Sequence, residues 1–123
     1  MKSRLQEAAD ALREFALRLP GAVEDFPWGD RVAKVNKKIF VALGRDPDAN
    51  GFSFSVKLPE SHAAALKLKY AAPTGYGLGK SGWVTFTFAA DAKPDVNQCL
   101  AWIEESYRAI APKKLVKELD AAV

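Results

Sequence analysis

The chain has 123 residues, the size of one domain, which excludes a multidomain machine. With 49% apolar and 27% charged residues, the composition is typical of a soluble globular protein and is too apolar for a disordered one. The net charge of +3 neither requires nor excludes a nucleic-acid partner.

The N-terminal segment predicts a helix followed by a loop. Apolar residues recur at three- and four-residue steps from Leu5 to Leu19, and Ser3 with Gln6 has the spacing of a capping box. Residues 22 to 30 combine acidic side chains, aromatic rings, proline and glycine. They predict a connecting loop that holds a short edge strand over Val23 to Phe26.

Three strands are predicted next. The first runs from Arg31 to Asn36 and the second from Lys38 to Gly44, and the corner between them is short enough for a hairpin. Residues 45 to 51 have strong turn chemistry and predict an exposed loop. From Phe52 to Leu58 apolar and polar residues alternate, which is typical of a half-buried strand.

The second half of the chain predicts three helices and one more strand. Pro59 and residues 60 to 70 favour a helix, and the glycines of residues 75 to 82 favour a loop. Trp83 to Phe88 alternates as a strand. Asp95 opens a helix with one apolar face. Pro112 ends it, and Leu115, Val116 and Leu119 indicate a short final helix.

This order of elements predicts an α+β fold over residues 1 to 123: a two-layer single domain, with an antiparallel sheet packed by helices on one face. The strands are only half apolar, which argues against a parallel sheet covered on both sides. One sheet face is therefore expected to stay open. It would carry Ser53, Ser55, Lys57, Trp83, Thr85 and Thr87.

No residue set in the sequence indicates catalysis or a metal. One cysteine, Cys99, and one histidine, His62, allow neither an internal disulfide nor a zinc site of the usual ligand count. We predict no enzyme activity, no metal and no cofactor. The start of the chain lacks the apolar segment of a secretory signal, and no apolar run approaches the roughly 20 residues that span a bilayer. We therefore expect a cytoplasmic protein that does not bind membranes.

The glycine-rich segment from Thr74 to Gly82 has features of a phosphate-binding loop. It ends in Gly79-Lys80-Ser81, but it follows a helix and leads into a strand, whereas nucleotide-binding loops need the reverse order. What the segment offers is exposed backbone N–H groups together with Tyr76, Lys80 and Trp83, which could contact phosphate and stack on a base. The alternative is that the glycines serve tight turns and Trp83 packs at a sheet edge.

The charge is concentrated in the middle of the chain. Residues 31 to 80 carry nine basic and three acidic side chains, whereas the segments on either side are slightly acidic. We predict a phosphate-binding patch that contains Arg31, Lys34, Lys37, Lys38 and Lys57. Two alternatives remain open for these residues. Lysines at hairpin tips also protect a sheet from aggregation, and the carboxylates of Glu24, Asp25 and Asp30 are spaced to pair with Arg31 and Lys34.

The chain resembles the MmcQ/YjbR family. The resemblance rests on Leu19-Pro20-Gly21, Glu24-Asp25-Phe26-Pro27-Trp28-Gly29, Lys38-Ile39-Phe40, Leu78-x-Lys80 with Trp83, and Ile103-x-x-Ser106-Tyr107. It implies a CyaY-like, frataxin-like fold and a small bacterial cytoplasmic domain without known catalytic activity. Such domains are described as DNA-binding because two β-hairpin wings suggest a double-wing contact. Many members carry a histidine before the tryptophan, where this chain has Gly82.

The leading hypothesis is a non-enzymatic, monomeric DNA-binding domain that contacts phosphates without sequence specificity. Its predicted interface contains Arg31, Lys34, Lys37, Lys38, Lys57, Tyr76, Lys80 and Trp83. A second hypothesis is a protein-interaction or small-ligand module that uses the open sheet face and the Tyr76 to Trp83 loop. The third, implied by the frataxin-like fold, is a metal-handling protein that uses Glu7, Asp10 and Glu14 on the first helix.

Overall fold

The computed structural model describes residues 3–75 and 77–121. The two long helices are α1 (Arg4–Arg18) and α3 (Val96–Ile110). The two shorter ones are α2 (His62–Ala65) and α4 (Lys113–Ala121). The strands are β1 (Val23–Asp25), β2 (Arg31–Val35), β3 (Lys38–Gly44), β4 (Phe52–Lys57), β5 (Ala71–Pro73) and β6 (Trp83–Phe88). In this part of the chain, no helix has the length and apolar character needed to cross a membrane.

The strands form a single six-stranded sheet in the order β1-β2-β3-β4-β6-β5, and every neighbouring pair is antiparallel. The predicted α+β class and antiparallel sheet are therefore confirmed, as is the edge strand after Pro20-Gly21. The first four strands follow one another in space as in sequence. Strand β6 inserts between β4 and β5, which places its alternating Trp83–Phe88 segment in the interior of the sheet.

One face of the sheet is covered by helices and forms the core. The apolar residues of β4 face those of β6 in register, so that Phe52, Phe54 and Val56 lie opposite Phe88, Phe86 and Val84. The ring of Trp102 on α3 stacks on Phe86 at 4.0 Å between centroids. Burial of such aromatic rings contributes most of the driving force for a domain of this size.

Both long helices begin at the residues that the sequence indicates. The side chain of Ser3 accepts a hydrogen bond from the Gln6 N–H at 3.0 Å, and Asp95 does the same for the Gln98 N–H at 3.1 Å. The capping box is only half formed, because the Gln6 side chain donates to Asp10.

The helix predicted over residues 60 to 70 is present but much shorter than predicted. Only one turn, His62–Ala65, is helical, and the chain then bends so that the Tyr70 ring packs against Phe88 at 4.9 Å between centroids. The following Ala71–Pro73 pairs with β6 as an edge strand that the sequence pattern does not indicate. Tertiary packing overrides helix propensity in this segment.

Two ends of the sheet are distinguished by their connections. We call the hairpin end the one where the β2–β3 turn (Asn36 and Lys37) and the β5–β6 connection (residues 74–82) lie. The opposite end, called the far end, holds the β1–β2 connection and the polar loop of residues 45–51. In that loop Gly51 has φ +100°, and a Cβ there would lie 1.9 Å from the Phe88 carbonyl oxygen, so only glycine fits.

Candidate nucleic-acid interface

The β2–β3 hairpin presents two lysines at the hairpin end. Its turn residues, Asn36 and Lys37, have φ values of 50° and 67°, as a two-residue turn of the type favoured in hairpins requires. The predicted hairpin corner is therefore confirmed. Lys37 and Lys38 are both exposed. A lysine in the left-handed region is uncommon, because its Cβ comes close to the following carbonyl oxygen. Glycine has no Cβ and adopts this conformation without that steric cost.

The β5–β6 hairpin turns at the same end. Thr74 N–H donates to the Trp83 carbonyl at 3.1 Å, which extends the pairing beyond β5. A 3-10 turn over Leu78–Ser81 follows, with Lys80 exposed on it. Gly82 closes the turn at φ 88°, a conformation that suits glycine. Tyr76, a predicted stacking residue, lies outside the described residues.

Lys57 and Trp83 form a cross-strand pair between β4 and β6, at the hairpin end of the sheet. They lie directly opposite each other on β4 and β6, both half-buried, on the face without helices. The same face carries a ladder of hydroxyls that hydrogen bond to one another: Ser53 to Thr87 at 3.1 Å, Ser55 with Thr85 at 2.7 Å, and Thr74 with Thr85 at 2.9 Å. The predicted polar face is therefore present.

Arg31 is kept apart from the hairpin lysines. It lies at the far end, where β2 begins opposite Gly44, and its guanidinium contacts two acids. Its Nε is 3.1 Å from Glu24 Oε2, and its Nη1 donates to Asp46 at 3.0 Å. Two carboxylates thus neutralise the cation within the protein.

Lys34 also has an internal partner. Its Nζ donates to Asp25 Oδ2 at 2.7 Å, and this hydrogen bond holds the pKa of the Asp25 carboxyl below its usual range. The third predicted acid, Asp30, pairs with Arg45 at 3.4 Å. The structure therefore favours the alternative in which this acidic segment pairs with the basic residues of β2 and its surroundings.

The remaining predicted cations share the hairpin end. In residues 3–75 and 77–121, no carboxylate lies within ion-pair distance of any of them: Lys37, Lys38, Lys57 and Lys80. We call these four residues the hairpin lysines. Trp83 lies beside one of them, Lys57. The spacing of the acids in the sequence indicates partners for Arg31 and Lys34, but not the pairing of Arg31 with Asp46, which depends on sheet topology.

The other titratable candidates have structural roles. Burial raises the pKa of the Cys99 thiol to about 12, with a smaller effect from Asp95, so the thiol stays protonated at neutral pH. His62 Nδ1 lies 2.9 Å from the carbonyl oxygen of Leu58, four residues earlier in the chain. On α1, Glu14 pairs with Arg18, and the described residues contain no group of three or more metal-ligating side chains.

Comparison with known proteins gives a family and a structural relative. Residues 17–109 match the family model YjbR. The crystal structure of Deinococcus radiodurans protein DR2400, described as having the domain DUF419, is similar with a TM-score of 0.70 and 26% identity. The similarity covers 98% of this chain and 92% of that one. A search of the curated proteins found no match. The family match spans most of the sequence, and the chain therefore belongs to the YjbR family.

Proposed function

We propose that this domain is a non-enzymatic DNA-binding protein whose two hairpins contact the phosphate backbone of a duplex. The observation that carries the proposal is the common direction of the β2–β3 and β5–β6 hairpins. Each ends in a lysine that has no carboxylate partner among the described residues. Lysine side chains that neutralise phosphates release counterions, and this release supplies the affinity of non-specific binding.

The spacing of the hairpins supports a duplex as the partner. The centres of the two hairpins are separated by three strand intervals in the order β2-β3-β4-β6-β5. At about 4.8 Å for each interval, the two turns lie roughly 14 Å apart. The major groove of B-DNA is about 12 Å wide. One turn can therefore approach each strand of the duplex, while Lys57 and Trp83 lie between them.

The conformation of Lys37 is a second support. An asparagine-glycine pair is the common choice for this turn, and a lysine in its second position carries a cost of roughly 1 kcal/mol. Strained residues of this kind concentrate at functional sites. A positive charge at the tip of the hairpin explains why the turn holds a lysine.

The test is the salt dependence of binding to a short duplex of arbitrary sequence, followed by fluorescence anisotropy between about 50 and 200 mM salt. We expect log K to fall linearly with log salt. Lys37→Gln/Lys38→Gln should reduce the slope by about 2, since each lost phosphate contact removes about 0.9. The matched control is Lys69→Gln/Lys93→Gln, which removes the same charge from exposed lysines next to Tyr70 and in the loop after β6. Absence of binding at low salt, or equal effects of both variants, would contradict the proposal.

A second candidate is a protein- or ligand-binding module, favoured by one observation. Leu78, in the β5–β6 connection, is 43% exposed and lies close in sequence to half-buried Trp83. Exposed apolar and aromatic side chains are common contacts for a protein partner. Retention of a specific partner by Lys37→Gln/Lys38→Gln, with its loss in Trp83→Ala, would favour this candidate over DNA binding.

A further inference from the structure

We infer that the DNA-binding surface continues over the end of the molecule onto the α3–α4 corner, where Lys113 and Lys114 contact additional phosphates. The inference rests on the proposed function and names residues that neither the sequence pattern nor the hairpins include. It predicts a contact that reaches from the open sheet face to the helical layer, with a duplex as the partner.

The contacts of α3 show that this helix points toward the hairpin end. Trp102 stacks on Phe86, in the middle of β6. One turn later, Ser106 hydrogen bonds to the Phe40 carbonyl and the Lys57 N–H, close to the hairpin end. Because the helix rises 1.5 Å per residue in that direction, the residues that follow Ile110 reach the end of the sheet.

Contacts of α4 place its first turn beside the β2–β3 hairpin. Leu115 packs on Gly21, where an added Cβ would approach Leu115 Cδ1 to 2.8 Å and Val35 Cγ2 to 3.7 Å. Val35 directly precedes the Asn36–Lys37 turn. Lys113 and Lys114 are exposed, and among the described residues neither has an ion-pair partner. They are therefore available to a ligand held by the hairpin lysines.

The two ends of the molecule differ in charge. In the described part of the chain, the hairpin end has six lysines, namely Lys37, Lys38, Lys57, Lys80, Lys113 and Lys114. Its connecting segments contribute one acid, Glu60, and α4, which supplies two of these lysines, also carries Glu118 and Asp120. At the far end, the loops carry two basic residues, Arg45 and Lys93, and five acids: Asp30, Asp46, Asp48, Asp91 and Asp95. Such a separation orients the hairpin end toward a polyanion during encounter.

The nearest acids have other partners and form no ion pair with the lysines of the corner. Both carboxylate oxygens of Glu105 are used by the segment after β4, since they accept bonds from the Glu60 and Ser61 N–H groups and from the Ser61 hydroxyl. Asp120 is held by Arg108 at 2.8 Å, and this contact lowers the pKa of its carboxyl. Among the described residues, Glu60 and Glu118 remain as exposed opposing charges, and Glu118 lies four residues after Lys114.

The experiment compares the salt dependence of duplex binding for three double variants of the full chain. Lys113→Gln/Lys114→Gln removes the corner charges, Lys37→Gln/Lys38→Gln removes the hairpin charges, and Lys69→Gln/Lys93→Gln is the charge-matched control. We expect the corner variant to lower the slope of log K against log salt by about 2, as the hairpin variant does, and the control to leave it near the wild-type value. Thermal unfolding checks that each variant folds.

The outcomes separate the two proposals. A hairpin variant with a reduced slope beside a corner variant with the wild-type slope overturns the inference and leaves the proposed function intact. Wild-type protein without salt-dependent binding overturns both. A corner variant that loses no more affinity than the charge-matched control at every salt concentration also overturns the inference, because the effect is then one of net charge alone.

Discussion

At the scale of single residues, Ser106 joins the helical layer to the sheet. Its hydroxyl is fully buried; it donates to the Phe40 carbonyl and accepts from the Lys57 N–H at 2.9 Å. The pairing of β2 with β3 skips Phe40, which interrupts the regular ladder at this point. A side-chain hydroxyl thus replaces a missing backbone partner for the buried Phe40 carbonyl and the partly buried Lys57 N–H.

Ser106→Ala should lower the free energy of unfolding by about 2 to 4 kcal/mol, because each buried backbone group left without a partner costs about 1 to 3 kcal/mol. Urea unfolding measures the difference. Ser53→Ala is the control, since its hydroxyl lies on the open face and its loss should cost less than about 0.5 kcal/mol. Equal effects of the two substitutions would contradict this role of Ser106.

At the scale of elements, the two lysines of the β2–β3 hairpin have the same charge but different backbone conformations. Lys37 has φ 67°, whereas Lys38 is the first residue of β3. Both carry one positive charge at the hairpin end, but glycine suits the first position and weakens the second. The same substitution at the two sites therefore distinguishes conformation from charge.

Lys37→Gly should leave the domain equally stable or raise its unfolding free energy by up to about 1 kcal/mol, whereas Lys38→Gly should lower it by roughly 0.5 to 1 kcal/mol. Both should weaken duplex binding and reduce its salt slope by about 0.9. Chemical unfolding and anisotropy on the same samples provide the measurement. If Lys37→Gly lost stability as Lys38→Gly does, the left-handed turn would not carry the expected cost.

At the scale of the whole molecule, a side-chain pair ties the helical layer to the edge of the sheet. Arg13 on α1 donates from Nε and Nη2 to both oxygens of Glu24 on β1, at 2.6 and 3.1 Å. These bonds lower the pKa of the Glu24 carboxyl. A carboxyl with a lowered pKa in the folded state stabilises the fold above its unfolded pKa of about 4.3, and this contribution is lost as the pH falls.

Arg13→Gln should therefore lower the melting temperature at pH 7, and its difference from wild type should shrink as the pH falls below about 4. Thermal unfolding across this pH range measures the effect. In the control, Arg18→Gln, little change is expected, because Arg18 is 80% exposed and lies 3.9 Å from Glu14. A difference that stays constant with pH would mean that Arg13 acts through packing rather than through the ionised Glu24.

The sequence predicts local structure better than the grouping of charges. The helix caps, the Asn36–Lys37 turn and the alternation of β4 and β6 follow from short-range patterns, and all appear in the structure. The sequence does not predict strand β5, because Ala71–Pro73 is too short to show alternation. The strand forms by pairing with the edge of β6 that β4 leaves free. Likewise, Lys113 lies in a segment of slightly negative net charge, so its place beside the hairpins depends on the direction of α3.

Both free edges of the sheet are three residues long. On one side the edge is Val23–Asp25, and on the other it is Ala71–Pro73, whose last residue has no N–H to donate. A strand from another molecule would gain only a few backbone hydrogen bonds at either edge. The lysines at the hairpin tips are therefore not needed to block sheet extension, and a protective role explains them less well than binding does.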